Sequence, residues 1–368
     1  MNEARPRPDV ASPVPPVAGA GPDAAGVVGR LEAATARLTA VPAIRWVLRW
    51  GVSLVSLAGG LLTLFVFRRE LPHVHWIVGY LLLVWLLFAL LAHVRRAVGP
   101  ASPWTARLVV TGVDYTLQTL YHGVLLFLIP AYWASTTVDS PNVLFFAAVV
   151  ILALVATFDP WYRALVGPRP WLGGVFFLVS VFGALNVALP LVGVPPHPAL
   201  VLSAWAAVLA LTPAVVRARG WPWHRAVAVT GTAAVVALVL AHLGRAWVPP
   251  APMSLAHARL AWDTAAVDAL EPDPSAVHAD DLHRRGLVAY TAVYAPAGLE
   301  QPIQHVWRRE GEVVDVVRLT PVRGGRREGF RTLSRKTAWP ADPVGRWTVD
   351  VTTTSGQLIG RLRFRVVP

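Results

Sequence analysis

Seven long apolar segments, separated by short polar stretches, occupy the chain from residue 46 to residue 248. Each is close to the ~20 residues that an α-helix needs to cross ~30 Å of hydrocarbon. The pattern therefore predicts an α-helical membrane bundle of about seven transmembrane helices over 46–248. The predicted spans are residues 46–67, 74–94, 108–132, 142–158, 171–189, 199–216 and 226–248.

A period-two alternation of apolar and polar residues replaces this pattern over residues 256–368, as in strands that bury one face. Two hairpins are predicted, with turns at Glu310-Gly311 and Ser355-Gly356. About six short strands punctuated by Gly and Pro predict an all-β sandwich of the immunoglobulin-like type. Residues 249–255 are the predicted linker, and further strands are predicted at 259–265, 287–295 and 329–335.

Residues 1–45 form a third predicted region, a cytoplasmic leader rich in Pro and Ala. Residues 1–27 contain almost no large apolar side chains, so they cannot build a core and are predicted to be disordered. Residues 28–40 are interpreted as a short helix near the membrane. The first basic residues are not followed by an apolar segment of the kind that a signal peptide needs, so no signal peptide is predicted.

The composition is typical of a membrane protein with some soluble mass: 55% of the residues are hydrophobic, 15% are charged and the mean hydropathy is +0.51. The absence of cysteine excludes disulfides, thiolate metal sites and a cysteine nucleophile. Of the net charge of +12, residues 1–45 contribute +1, residues 46–251 contribute +8 and residues 252–368 contribute +3. Most of the excess lies between the predicted spans, so no nucleic acid is predicted as a partner.

Arginine is distributed unequally between the two alternating sets of loops that connect the predicted spans. One set contains eight arginines, and the other contains only Arg68 and Arg69. Because cytoplasmic loops carry the excess of basic residues, the N-terminus is predicted to be cytoplasmic. Seven crossings of a bacterial inner (cytoplasmic) membrane then place the β domain in the periplasm. The eight arginines are Arg95, Arg96, Arg107, Arg163, Arg169, Arg217, Arg219 and Arg225.

Three C-terminal stretches, "IQHVWRREGEVVDVVRL", "GGRREGFRTLSRK" and "GRWTVDVTTTSGQLIGRLRF", resemble the pattern of the bacterial domain of unknown function 2914. Leu333 departs from that pattern, which has an aromatic residue at this position. A multi-span region followed by this domain resembles the bacterial membrane proteins of domain of unknown function 5924. The resemblance implies a β-sandwich and a membrane location, but no activity or cofactor. The matching positions are His305, Trp307, Gly311, Arg331, Ser334, Lys336, Gly345 and Trp347.

The third predicted span carries a stripe of polar residues, Asp114, Gln118, Tyr121 and His122, within a ~100° arc of the helix. Because a buried acid in a membrane is costly, the stripe is predicted to face other helices or water. Asn186 on the fifth span is a candidate partner for His122. The stripe has two interpretations: a proton-linked polar site, or interhelical hydrogen bonds that hold the bundle together.

The outer domain carries cationic residues that suit phosphate and carboxylate groups. Its candidate partners are an anionic envelope polymer, a lipid or a periplasmic protein. The alternative interpretation is a solvated face, in which acids such as Asp350 pair with the arginines. The candidate binding residues are His305, Arg326, Arg331, Lys336, Arg361, Arg363 and Arg365.

No sequence motif indicates catalysis: a P-loop, HExxH and G-x-S-x-G are all absent. His73 and His75, with His197 and His242, gather at the outer ends of the spans, but their spacing predicts no metal site, and no cofactor is predicted. We therefore predict a non-enzymatic membrane protein, with the lipid bilayer as a partner. Its β-sandwich would bind an envelope component or partner protein, and the bundle would anchor it or sense occupancy. The alternative is a transporter or lipid-processing enzyme that uses the polar stripe.

Overall fold

The computed structural model describes residues 84–93, 104–263 and 276–368. The predicted leader (1–45), the first predicted span and most of the second lie outside the described residues. The described residues all belong to one compact unit, Ser53–Pro368. The helices give way to strands between Trp247 and Ser254, close to the predicted linker.

Eight helices make up the described part of the N-terminal region. Several of them begin with a proline in the first turn, where the missing N–H has no helical partner to lose. A one-turn 3-10 helix, Arg245–Trp247, follows the last of them. The helices are α1 (Val84–His93), α2 (Trp104–Ala134), α3 (Val143–Thr157), α4 (Asp159–Val166), α5 (Pro170–Leu191), α6 (Pro196–Leu209), α7 (Thr212–Arg219) and α8 (Trp223–Leu243).

The number of helices that could cross a membrane differs from the predicted seven. Among the described residues, three are long and apolar enough: Pro170–Leu191, Pro196–Arg219 (α6 with α7) and Trp223–Leu243. The count rises to four if α3 and α4, which meet at a 105° bend, form one broken span. Five of the seven predicted spans lie wholly within the described residues, and there the prediction is corrected to three or four. Hydropathy failed here because α3 alone, with 15 residues, spans only about 22 Å, and polar residues interrupt α2.

The C-terminal region is rich in β-strands. The strands form a three-stranded sheet (β1-β3-β8), a five-stranded sheet (β2-β10-β9-β5-β6) and a small pair (β4-β7). A short helix, α9 (Ala279–Arg285), lies between β2 and β3. The strands are β1 (Ser254–Ala261), β2 (Ala276–His278), β3 (Leu287–Tyr294), β4 (Glu300–Gln301), β5 (Ile303–Arg309), β6 (Glu312–Arg318), β7 (Val322–Arg323), β8 (Phe330–Lys336), β9 (Gly345–Thr353) and β10 (Leu358–Val367).

Both predicted hairpins are present, as β5–β6 and β9–β10. At the first turn, Glu310 has φ 48° and Gly311 has φ 90°, the left-handed backbone that a two-residue hairpin turn requires and glycine adopts without strain. Pairing of β2 with β10 was not predicted. It is a three-residue parallel contact between distant segments, and no local alternation reports such pairing.

One hydrophobic core receives side chains from both larger sheets. The three-stranded sheet contributes Leu260 and Val293, and the five-stranded sheet contributes Trp307, Trp347 and Phe364. These five side chains are almost completely buried. The predicted alternation therefore marks the faces that bury this core.

Candidate functional site

The polar stripe of α2 contacts the bend between α3 and α4. Gln118 donates hydrogen bonds to the Ala156 carbonyl oxygen (3.0 Å) and to Oδ1 of Asp159 (2.7 Å). Ala156 lies in the last turn of α3, where carbonyl groups lose their helical partners because the chain turns at Phe158. Gln118 therefore satisfies a carbonyl group that the bend exposes.

His122 makes the second contact of the stripe with α3. Its Nδ1 lies 2.8 Å from the Thr157 hydroxyl, which itself donates to the Ala153 carbonyl oxygen at 2.7 Å. Because that hydroxyl has a single hydrogen, the imidazole Nδ1 is the donor in the first bond. His122 is 5% exposed. The bond joins two helices, as the packing interpretation expects.

The other predicted stripe residues have different surroundings. Tyr121 is fully buried and its ring stacks on Phe176, with centroids 5.7 Å apart, while Asp114 is half-buried. Asn186 donates to the Tyr132 hydroxyl at 3.0 Å, ten residues and about 15 Å along α2 from His122. A proton-linked role for the stripe stays a prediction.

Two of the three alternating arginines of β10 form ion pairs within the chain. Arg361 and Arg363 both donate to the carboxylate of Asp139, in the loop between α2 and α3. Arg361 also makes two bonds to Asp350, which accepts a third from Arg308 at 3.0 Å. A continuous charged network thus connects the five-stranded sheet with the end of α2.

The network has consequences for the charges it contains. Partial burial of Asp139 opposes ionisation, but the hydrogen bonds from Arg363 and Arg361 outweigh it and lower the pKa of the carboxyl group. The hydrogen bond to Asp350 raises the pKa of Arg361 above its ordinary value, although burial opposes this. The charges of Asp139 and Arg361 are therefore maintained near neutral pH. The third arginine, Arg365, is exposed.

Two further contacts join the β region to the ends of the helices. Arg245 donates through Nε to the Ser355 carbonyl oxygen in the β9–β10 turn. Gly193, after α5, lies so near Gly298 that a Cβ at Gly193 would be 3.3 Å from the Gly298 carbonyl oxygen. Arg245 follows α8, Gly193 follows α5, and Asp139 follows α2. The β region therefore lies at the end of the bundle where these three helices end.

His305 lies between the two larger sheets in a network of neutral polar groups. Its Nε2 is 3.0 Å from the Thr291 hydroxyl, and its Nδ1 is 2.8 Å from the Ser334 hydroxyl, which also accepts from the Trp307 indole at 3.2 Å. Thr291 continues the network to Thr332 at 2.8 Å. A neutral imidazole with its hydrogen on Nε2 satisfies every one of these bonds. Burial lowers the pKa of His305 to about 4.

Acid is expected to destabilise the β region through His305. Between pH 6.5 and about 4 the unfolded chain binds a proton that the folded chain does not, so stability falls with pH over this interval. We expect the free energy of unfolding to be about 2 kcal/mol lower at pH 5 than at pH 7.5. Thermal unfolding of the full chain, followed by near-UV circular dichroism at both pH values, measures the difference.

His305→Gln should reduce that pH dependence, because glutamine does not titrate. His283→Gln is the matched control, since His283 is exposed on α9, and it should leave the dependence unchanged. A wild-type chain that is equally stable at the two pH values would contradict the assignment of a buried neutral imidazole.

Lys336 is also placed inside the β region. Its ammonium group lies 3.0 Å from a carboxylate oxygen of Asp315 and 5.6 Å from the centre of the Trp339 ring, and its side chain is 5% exposed. Lys336 therefore has a partner on the neighbouring sheet. A binding role for Lys336 or His305 stays a prediction.

A groove of about 430 Å³ opens between the edges of the two larger sheets, where β6 and β8 are the outermost strands. Its walls include Val317, Leu319 and Phe330, which pack against the core, and the guanidinium-bearing Arg318 and Arg331. Of the predicted binding residues, Arg331 lies on this groove, and Arg326 lies 5.4 Å from the Phe330 ring centre. Arg318 was missed, because alternation along β6 does not show that its edge faces β8.

The histidines at the helix ends form one pair. His197 Nε2 and His242 Nδ1 are 3.0 Å apart, whereas His73 and His75 lie outside the described residues. Within 84–93, 104–263 and 276–368, no three histidine or carboxylate side chains converge as metal ligands. A shallow surface depression on α8 is lined by small and apolar residues of that helix alone.

Comparison with protein families gives two matches that together cover most of the chain. The model described as "Family of unknown function (DUF5924)" matches residues 30–289. The model described as "Protein of unknown function (DUF2914)" matches residues 300–366. The resemblance identified from the sequence motifs is therefore confirmed. Neither the curated proteins nor the solved structures contain a match.

Proposed function

We propose that this chain, which belongs to the family of unknown function DUF5924, is an inner-membrane protein whose C-terminal β region binds an envelope component or a partner protein in the periplasm. The helices anchor the β region or sense its occupancy. The observation that carries this proposal is the attachment of the β region to the ends of α2, α5 and α8, through Asp139, Gly193 and Arg245.

The proposed location follows from combining this attachment with the arginine asymmetry. The loops that contact the β region contain none of the eight arginines, whereas α4 and α7, toward the other ends of the helices, carry Arg163, Arg217 and Arg219. Excess arginine favours the cytoplasmic side. The loops that lack these eight arginines and the β region are then both on the periplasmic side.

We also propose that the β region is a sandwich of the immunoglobulin-like class. Support comes from the three-stranded and five-stranded sheets, which contribute to one core and whose strands are joined mainly by antiparallel pairing. Such folds commonly present binding surfaces at sheet edges and loops while their cores stay rigid.

The topology is tested with a reporter that is active only in the periplasm. Fused after Pro368 it should be active, and inserted in the 217–225 loop it should be inactive, because these sites lie at opposite ends of the proposed spans. Enzyme activity in intact cells, normalised to protein abundance, is the measurement. Activity at the 217–225 site and none after Pro368 would exclude a periplasmic β region.

The alternative function, a transporter or lipid-processing enzyme, needs the stripe of α2 to line a path for water or substrate. Its supporting observation is the burial of Gln118 and His122 in an apolar helix. Both side chains, however, hydrogen-bond the bend at α3 and α4. That geometry favours a structural role in packing.

Asp114→Asn distinguishes these functions, because asparagine has nearly the shape of aspartate and can still hydrogen-bond, but cannot exchange a proton. We expect the variant to restore the phenotype of a deletion strain fully. By contrast, combined Asp114→Leu and Gln118→Leu should lower thermal stability, by roughly 0.6–2 kcal/mol for each interhelical bond removed. An abundant but inactive Asp114→Asn protein would instead locate the activity in the helices.

A further inference from the structure

β6 is the outermost strand of the five-stranded sheet, and its free edge carries an apolar surface. The backbone N–H and C=O groups that point away from β5 have no partner strand among the described residues. Val313, Val314 and Val316 are 40–52% exposed, although valine is a strand-forming residue that is most often buried. An unpaired apolar edge of this kind is a template to which another strand can add.

The charges of β6 are arranged symmetrically about its centre. The strand reads Glu-Val-Val-Asp-Val-Val-Arg from Glu312 to Arg318, with Asp315 in the middle. Within the described part of the chain, neither Glu312 nor Arg318 forms an ion pair. If two β6 strands pair in antiparallel orientation about Asp315, Glu312 of each copy lies opposite Arg318 of the other. Parallel pairing would place like charges beside each other, so the charges favour the antiparallel arrangement.

We propose that β6 is a dimerisation edge, at which two copies of this chain join their five-stranded sheets into one continuous sheet. Antiparallel pairing about the strand centre places Val314 of one copy opposite Val316 of the other, so the exposed valines cover one another. The same patch then serves both copies, as in other two-fold symmetric dimers. The inference goes beyond the proposed function, and it does not depend on which side of the membrane the β region occupies.

The attachment of the β region to the helices is compatible with two copies in one membrane. Arg361 and Arg363 alternate along β10 and both contact Asp139, so one face of the five-stranded sheet is turned toward the helix end. Two identical antiparallel strands are related by a two-fold axis perpendicular to their sheet. Rotation about that axis leaves the same face of both copies on the same side. Both sets of helices therefore extend in one direction from the joined sheet.

Asp315 lies next to the proposed two-fold axis, where it would meet its counterpart in the second copy. Like charges directly opposite each other destabilise a sheet. Lys336 compensates the charge in each copy, because its ammonium group is 3.0 Å from the Asp315 carboxylate and its side chain is only 5% exposed. The centre of the interface is therefore neutral, and the ion pairs between Glu312 and Arg318 lie at its two ends.

The test exploits the absence of cysteine from the chain. Two full-length copies with different tags, one with Val314→Cys and the other with Val316→Cys, are coexpressed, and the isolated membranes are oxidised. Residues directly opposite in an antiparallel pair have Cα atoms about 4.5–5.5 Å apart, within the range of a disulfide. We expect the mixed disulfide in at least tenfold greater yield than a disulfide between two Val314→Cys copies, because identical positions are displaced along the paired strands.

Reversal of the charges tests the pairing without changing the valines further. Glu312→Arg in both copies should lower the yield of mixed disulfide at least fivefold, because arginines then oppose each other at both ends. Glu312→Arg in one copy with Arg318→Glu in the other should restore the yield, since opposite charges meet again at each end. Arg323→Glu in both copies is the matched control: Arg323 is highly exposed and lies on β7, so the yield should not change.

Other outcomes also decide. If both copies are abundant in the membrane and no mixed disulfide forms, the dimer is wrong; the irregular pairing of β6 with β5 between Trp307 and Arg308 then protects the edge from strand addition. Equal yields from mixed and identical positions would overturn the proposed register. A charge-swapped pair that does not recover would show that Glu312 and Arg318 do not meet. If the mixed disulfide forms while the reporter after Pro368 is inactive, this inference survives and the proposed function fails.

Discussion

Replacing Trp347 with alanine is expected to lower the free energy of unfolding of the β region by about 3–5 kcal/mol. The Trp347 side chain is fully buried, stacks on Phe364 with ring centroids 6.1 Å apart, and meets the Trp339 ring edge-on at 5.0 Å. Its indole N–H donates to the Pro343 carbonyl oxygen at 2.7 Å. Alanine would leave a cavity at the centre of the core and an unsatisfied carbonyl group.

Amide hydrogen exchange of β5, β9 and β10 in the full chain measures this loss, because core strands exchange through global opening of the region. Trp247→Ala is the matched control: Trp247 is 54% exposed at the helix end, so its removal should leave exchange from these strands nearly unchanged. If Trp347→Ala and the control had equal effects, the shared core of the two sheets would be refuted.

Asp350→Asn is expected to produce the second large loss, about 3 kcal/mol. The Asp350 carboxylate is 5% exposed and accepts hydrogen bonds from Arg361 and Arg308. Asparagine preserves the volume of the side chain but removes its negative charge. The guanidinium groups of Arg361 and Arg308, which have restricted access to water, then lose the charge that neutralises them. Most of this loss of stability comes from Arg361, because its side chain is 17% exposed and that of Arg308 is 32% exposed.

Asp342→Asn is the matched control. Asp342 also forms an ion pair, 3.3 Å from Arg309, but its side chain is 74% exposed. Exposed pairs contribute less than about 1 kcal/mol. Thermal unfolding in nanodiscs compares the two variants. If they behave alike, Asp350 does not hold the arginines together. Because Arg361 also contacts Asp139, we expect Asp350→Asn to loosen the β region from the helices as well, seen as faster exchange in the 135–142 loop.

If the helices sense occupancy of the β region, the charged network through Asp350 is a structural connection between the two. β5, β9 and β10 are neighbours in one sheet, and Arg308, Asp350 and Arg361 connect them sideways to Asp139 at the helix end. The groove lies at the far edge of the same sheet, on β6. This network connects the sheet to the helix end, so the anchor and the sensor differ in whether Asp139 responds when a ligand binds the β region.

The sequence by itself determined the kinds of element and the faces that they bury. Alternation located the β5–β6 and β9–β10 hairpins, because a period of two reports the burial of one strand face wherever that strand lies. The motif Glu310-Gly311 located a turn because its backbone requirement is local. Hydropathy located the helices, but it could not count the spans, since it measures apolar length and is blind to a 105° bend.

Only the tertiary structure decided which polar groups meet. Asp139 and Arg361 are 222 residues apart, and nothing local distinguishes this acid from others in loops. His305 on β5 meets Thr291 and Ser334, which lie on strands of the other large sheet. The groove exists because the edges of two separate sheets face each other. Such pairings depend on the packing of the whole chain, which places distant segments together and which a periodicity along one strand cannot encode.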